Sequence, residues 1–356
     1  MSDDLALPRL SIVLGAARSG LAAARALVDA GRDVVLVDDE PEAVEGAPVP
    51  VVGPDAVDVE GCDAVIRSPG VPGSHPVLQR AHELGIPVWA EVELGYRLLP
   101  PGARLVGITG TNGKTTTTEL VGAMLREAGI PNAVCGNVGT ALCEVAPHVP
   151  EGTVAVCELS SFQLEDIHAL RCDAAALLNI TPDHLDRHGS LEEYRRVKLR
   201  IFENQDERDT AVLDDDAEAC RELRRLPGDA EIVRVRGADA DEVGFAESRL
   251  RGDHNRENVA VAAALARAVG ASDAAIAAAV RAFEPVAHRL EDCGETGGVR
   301  FWNDSKATNV DAALTALGAF PDEPVRIVLG GSDKGADFGP LAAALAGRVV
   351  RAYLTG

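Results

Sequence analysis

Apolar residues run from Leu10 to Leu14, a small-residue loop covers Gly15 to Gly20, an amphipathic stretch reaches Ala30, and a second apolar run spans Asp33 to Val37. Two short apolar runs joined by a helix-length segment predict a parallel βαβ unit, a Rossmann-like opening that ends at Asp38. The loop Gly15, Ala16, Ala17, Arg18, Ser19, Gly20 lacks the middle glycine of GxGxxG, which admits a pyrophosphate close to the backbone. That absence argues against a nicotinamide dehydrogenase. A further strand, Ala64 to Ile66, leads into Ser68, Pro69, Gly70, Val71, Pro72, and another αβ unit ends near Val88. Pro100, Pro101 and Gly102 then mark a linker.

The alternation resumes with predicted strands at Leu105 to Ile108, Val154 to Cys157 and Ala174 to Leu178, each followed by polar residues. This predicts a second, mainly parallel sheet with helices on its faces. In the predicted helix Leu191 to Phe202, Leu191, Tyr194, Val197, Ile201 and Phe202 share one face, and Lys198 falls in its middle. A cation there is costly unless paired, neutralised or able to snorkel to water. Alanine-rich helices follow at Asn258 to Val269 and Ala274 to Phe283, closed by Pro285; a third α/β unit begins near Val299, with strands at Arg326 to Leu329 and in the last residues to Gly356. The pattern predicts an α/β protein in three units, residues 1–95, 96–285 and 286–356, the last incomplete.

Composition narrows the classes. A net charge of −22 disfavours nucleic acid and anionic membrane as partners. No apolar run approaches the roughly 20 residues of a membrane span, and the acidic start is unlike a secretory signal, so a cytoplasmic location is expected. Seven cysteines without a CxxC pair predict reduced, buried thiols and neither a disulfide framework nor a zinc site. Of 34 basic residues only four are lysines: Lys114, Lys198, Lys306 and Lys334. Where arginine supplies the general charge, a surviving lysine marks a place for a compact ammonium or a nucleophilic amine.

The run Gly110, Thr111, Asn112, Gly113, Lys114, Thr115, Thr116 lies between a strand and a helix and matches a short phosphate loop, GTNGKTT. Glycines turn N–H groups toward phosphate, Lys114 reaches the terminal phosphates and Thr115 can ligate Mg²⁺. Glu158 ends a strand and His184 follows the next, so two further metal-ligand candidates leave one sheet edge. Polar runs at Gly252 to Asn258, His288 to Glu291 and Asn303 to Asn309 stand at element boundaries, where sites tend to form.

Together with Glu158, Leu159, Ser160, Ser161, Phe162, Gln163, Leu164, Glu165, these runs resemble the Mur ligase family of peptidoglycan precursor synthesis, essentially from end to end. The phosphate loop is shared with folylpolyglutamate synthases; Asp304, Ser305, Lys306, Ala307, Thr308, Asn309 resemble the D-glutamate-adding branch. The resemblance implies an N-terminal Rossmann-like domain for the UDP group, a central ATPase domain and a C-terminal Rossmann-like domain for the incoming amino acid. It implies ATP and two Mg²⁺ as cofactors, with Lys198 carbamylated by CO₂ and holding a second Mg²⁺ with His184, while Thr115 and Glu158 serve the Mg²⁺ of ATP. It places Asn258, Arg289 and Asp304 on the nucleotide, and Ser19, Asp38, Gly70, Asn137 and Ser160 on UDP-N-acetylmuramoyl-L-alanine. Lys306, Thr308 and Lys334 would hold D-glutamate, and Lys114, Glu158, His184 and Lys198 carry catalysis. Asp38, Asp39, Glu40 depart from the Asp, Thr, Arg of a relative. The family's third domain also continues beyond the position of Gly356 with a serine loop, so nucleotide binding with weak ligation is expected, by a monomer. Another Mur ligase, a folylpolyglutamate synthase or a non-catalytic nucleotide-binding module are the rival readings.

Overall fold

The computed structural model describes residues 6–331 and 337–355. Its first unit is a parallel sheet of β1 (Leu10–Leu14), β2 (Asp33–Val37), β3 (Val51–Val52), β4 (Ala64–Arg67) and β5 (Val88–Ala90), ordered β3-β2-β1-β4-β5. Strand order reverses between β1 and β4, which opens a crevice at their carboxyl ends. Backbone packing there is close: Ser68 Oγ donates to the Gly15 carbonyl at 2.8 Å, and a Cβ on Gly20 would stand 1.7 Å from that same oxygen. Only glycine fits at position 20. Asp38, at the end of β2, accepts from the Ala16 N–H at 2.7 Å and the Glu40 N–H at 3.0 Å.

The second sheet contains β6 (Arg104–Thr109), β7 (Asn132–Gly136), β8 (Val154–Glu158), β9 (Ala174–Leu177), β10 (Thr210–Asp214) and β11 (Glu231–Val235), ordered β11-β10-β9-β6-β8-β7, all parallel. Its inner strands read as continuous apolar runs because helices cover both faces. The helices Lys114–Glu127 and Asp253–Ala268 bury Leu120, Met124, Val261 and Leu265 on one face; Leu164, Ile167, Val197 and Phe202 fill the other. The chain leaves β6 for one edge and returns to its other side as β9, so β6 and β9 flank the switch point of this sheet.

The predicted strands recur within a residue or two. The pattern did not indicate β7, which is half-buried at Asn132, Ala133 and Val134, nor β10 and β11, which are separated by charged residues. The helix predicted to Phe202 is α-helical over Leu191–Leu199 and tightens to a 3₁₀ turn over Arg200–Phe202; Leu191, expected on the inner face, is 40% exposed in its first turn. Six cysteines are free and buried as expected, and the seventh, Cys293, is exposed.

The third unit differs more from expectation. Val299 does not start an α/β repeat: β13 (Val299–Asn303) pairs antiparallel with β12 (Glu291–Thr296). Gly297 and Gly298 form the two-residue turn between them, at φ of 61° and 75°, conformations that glycine adopts without strain. The polar, exposed sequence of β12 hid it from an apolar pattern. Beyond the hairpin, β14 (Val325–Gly330) and β15 (Val349–Thr355) pair parallel and pack with the helices Val310–Gly318 and Gly339–Leu345 through Ala313, Leu317 and Leu341.

The first two units meet at a polar joint. Buried Arg67 pairs with Glu165 at 2.9 Å and Asp166 at 2.8 Å, and fully buried Glu93 accepts from the N–H groups of His168, Ala169 and Leu170. Arg18 donates to the Asn137 carbonyl at 3.0 Å and Arg187 to that of Pro69 at 2.7 Å, so the carboxyl ends of the two sheets face one another. Glu91 lies in the same joint at 1% exposure, with one oxygen on the Cys143 N–H at 2.6 Å and the other without a partner among the described residues. Burial pushes its carboxyl up to about 7, against the lowering pull of the Cys143 N–H. The folded state therefore holds the proton more tightly than the unfolded chain, and stability falls as pH rises from about 4.5 to about 7. A Glu91→Gln variant should match the wild type in urea unfolding at pH 5 and exceed it by about 2–3 kcal/mol at pH 8; equal stability at both pH values would contradict the shift.

Candidate active site

The loop after β6 is shaped by two glycines with φ of 154° at Gly110 and 84° at Gly113, the latter capping the helix Lys114–Glu127. A Cβ on Gly113 would lie 2.3 Å from Asn258 Oδ1, so this glycine lets the helix Asp253–Ala268 approach the loop. Thr117 Oγ1 links the two helices, 3.2 Å from Asn258 Oδ1. The helix N-terminus leaves its first N–H groups directed at the loop, an anion-binding arrangement.

Two lysines converge on this loop from different elements. Lys114 Nζ donates to the carbonyls of Gly110 at 2.9 Å and Thr111 at 2.7 Å; Lys198 Nζ donates to the same Gly110 oxygen at 2.7 Å. Lys198 is 1% exposed, with its amine 4.7 Å from the centre of the Tyr194 ring. Burial lowers the Lys114 pKa, partly opposed by Glu158. Lys198 is held well below an ordinary lysine, first by burial and then by the Lys114 charge. Two ammonium groups on one carbonyl, with no carboxylate bonded to either among the contacts described, form a site that favours an anion or a neutral amine.

At the end of β8, Glu158 is 2% exposed and accepts from Thr115 Oγ1 at 2.7 Å and Asn137 Nδ2 at 3.0 Å. Arg289 of the third unit donates to the same Thr115 hydroxyl at 3.0 Å. A buried carboxylate beside a hydroxyl is an oxygen-only donor set and suits a hard divalent cation. Among the described residues no group of three or more His, Cys, Asp or Glu side chains converges as a metal-ligand set. An open cleft runs from Gly113 and Thr116 at the phosphate loop past Asn258, Arg289, Trp302 and Asp304. Asp304 accepts the Leu290 N–H at 3.1 Å, and burial raises its pKa.

The sequence-selected residues among those described thus fall into four groups. Lys114, Thr115, Glu158, Asn137, Lys198, Asn258 and Arg289 form one cluster around the loop. His184, left-handed at φ 53°, caps the short helix Leu185–His188 beside Asp183 at 3.8 Å, its ring 4.9 Å from that of Phe162; Ser160 caps the helix Ser161–Leu164. Ser19, Asp38 and Gly70 surround the crevice of the first sheet. Lys306 and Thr308 are exposed between β13 and the helix Val310–Gly318, and neither side chain enters the cluster through a contact described here. Lys334 lies outside the described residues.

Sequence reasoning missed the polar ring that holds Asn112. Its N–H donates to Asn179 Oδ1 at 2.9 Å, and its side chain bonds Asp311 and Asn309 of the third unit. Asn309 was visible only as the end of a motif, and Asp311 carried no signal at all.

Comparison with known proteins gives the class to which this fold and loop belong, the ATP-dependent amide-bond-forming ligases. Residues 108–235 match the Mur ligase middle domain. The chain is 38% identical to the UDP-N-acetylmuramoylalanine--D-glutamate ligase of Koribacter versatilis, covering 97% of this chain and 82% of that protein. It is 41% identical to the ligase of the same name from Geobacillus kaustophilus, over 94% and 79% of the two chains. A murein peptide ligase from Psychrobacter arcticus superposes with a TM-score of 0.56 at 18% identity, covering 97% of this chain and 84% of that one. A UDP-N-acetylmuramate-alanine ligase from Thermotoga maritima gives 0.56 at 18%, over 98% and 90%. The chain belongs to the Mur ligase family, in the group of UDP-N-acetylmuramoylalanine--D-glutamate ligases.

Proposed function

We propose that the chain carries the site for ATP-dependent ligation of D-glutamate to UDP-N-acetylmuramoyl-L-alanine. The observation that carries the ATP part is the pair Lys114 and Lys198 on the Gly110 carbonyl, flanked by Thr115 and Glu158. The amino-acid part rests on likeness to ligases named for it. A free carboxylate is a poor electrophile, so ATP must first phosphorylate the L-alanyl carboxylate; the D-glutamate amine then attacks the acyl phosphate and phosphate leaves.

In this reading Lys114 and the first N–H groups of its helix bind the terminal phosphates and offset charge on the transferred group. Thr115 and Glu158 would hold Mg²⁺, which supplies Lewis-acid stabilisation of phosphate oxygens when bound. Asn258, Arg289 and Asp304 bind the nucleotide along the cleft, with Gly110 to Thr116 as the phosphate cradle. Ser19, Asp38, Gly70, Asn137 and Ser160 receive the UDP-substrate, and Lys306, Thr308 and Lys334 the D-glutamate carboxylates. We assign Lys198 to carbamylation: its neutral amine attacks the carbon of CO₂ and one amine proton leaves to solvent, giving a carboxylate. With His184 that carboxylate would hold the second Mg²⁺. The unit boundaries fall at 95 and 285. Among the described residues no helix is long and apolar enough to cross a membrane, and soluble substrates suit a cytoplasmic monomer.

The test is phosphate release from ATP. It should require both UDP-N-acetylmuramoyl-L-alanine and D-glutamate, and L-glutamate should not replace the latter; a preference for L-glutamate would sink the assignment.

A further inference from the structure

Asn112 sits at the tip of the phosphate loop, and both ends of its side-chain amide are held by the third unit. Its Nδ2 donates to Asp311 Oδ2 at 2.7 Å, and its Oδ1 accepts from Asn309 Nδ2 at 3.3 Å. The partners are 199 and 197 residues away, in the first turn and at the cap of the helix Val310–Gly318. Asn309 is oriented by its capping role: Oδ1 accepts the Ala312 N–H at 2.7 Å, which turns Nδ2 outward to Asn112 and to Asp183 Oδ2 at 3.3 Å. The same Asp311 oxygen also accepts from Thr181 Oγ1 at 3.2 Å, on the segment after β9. Thr181 is itself tied to the loop, because Thr111 Oγ1 donates to its carbonyl at 3.1 Å.

From this geometry we propose that Asp311 is a positioning residue: it couples the docking of the third unit to the shape of the phosphate loop through Asn112. The backbone of Asn112 is already fixed to the central sheet by Asn179, which accepts its N–H and donates to its carbonyl at 3.2 Å. What remains free is the side chain, and Asp311 and Asn309 take both ends of it. Without the contacts of the third unit, the amide has lost both partners and Thr181 one, and the loop is less constrained. A loop preformed for phosphate binds it more tightly than one that must be ordered on binding. The opposing effect is repulsion between the Asp311 carboxylate and a bound phosphate.

The test compares the full chain with Asp311→Ala and Asp311→Asn. Without nucleotide, hydrogen exchange of the peptide 109–116 should be about tenfold faster in the alanine variant, with the helix Asp253–Ala268 unchanged. Wild-type exchange in that peptide, or faster exchange throughout the chain, overturns the proposal, the second because Asp311 would then serve only overall stability. In titration with ATP and Mg²⁺ the alanine variant should bind about tenfold more weakly. The asparagine variant, which keeps an acceptor for Asn112, should stay within about threefold of wild type. Tighter binding by both would show that repulsion governs and overturns the proposal. The nucleotide arm rests on the function proposed above, whereas the exchange arm does not. Faster exchange in a protein that binds no ATP would uphold the coupling and remove the nucleotide reading.

Discussion

Phosphate release by a Lys114→Ala variant is expected to fall about a thousandfold, with ATP affinity reduced roughly thirtyfold. The larger loss in rate follows from where the charge acts. The Lys114 ammonium is tied to two backbone carbonyls at a helix N-terminus and pays little reorganisation as charge moves onto the transferred phosphoryl group. In the ground state it supplies one charge-assisted hydrogen bond or two, worth about 1.5–3 kcal/mol. Single-turnover phosphate release and calorimetric titration separate the two effects. Equal losses in both would mean that Lys114 only binds. A Lys114→Arg variant should not recover the rate, because a planar guanidinium cannot occupy the space of an ammonium under the Gly110 and Thr111 carbonyls.

Lys198→Arg is expected to lose about a hundredfold in ligation or more, although it keeps a positive charge in the helix. The reason is chemical: a guanidinium stays protonated and does not capture CO₂, whereas burial and Lys114 already favour the neutral amine at Lys198. Wild-type protein equilibrated with ¹³C-bicarbonate should show a carbamate carbonyl resonance that is absent from Lys198→Arg and Lys198→Ala. Depletion of CO₂ should lower wild-type activity, and bicarbonate should restore it. A resonance that persists in both variants would place the carbamate elsewhere, and full activity of Lys198→Arg would falsify the assignment.

The parts of this site legible in the sequence are those that lie in continuous runs. The apolar strand before Gly110 and the helix after it made the phosphate loop readable, and the isolated cation at Lys198 on an apolar helix face announced a special environment. Strands β1, β6, β8 and β9 were visible because burial on both faces leaves them almost wholly apolar, and β2 because Val34 to Val37 are all apolar although only Leu36 and Val37 are buried. The short edge strand β3, the half-buried β7 and the polar β12 carry too little of that pattern. Contacts made by folding were beyond any local reading. Arg289 reaches Thr115 across 174 positions and Asp311 reaches Asn112 across 199, and periodicity contains no record of such distances. The exposure of Leu191 has the same origin, since a helix's first turn can protrude past the core that its later turns enter.

The facing crevices of the two sheets carry a consequence for substrate length. Arg18 donates to the carbonyl of Asn137, whose side chain holds Glu158, and Arg187 to that of Pro69 at the rim of the first crevice, so the gap between crevices is fixed by two short tethers. If uridine is anchored at Ser19, Asp38 and Gly70, the molecule acts as a ruler. The span from that anchor to Lys114 is then held by Arg18 and Arg187, and loosening either tether changes how far along a substrate the loop can act.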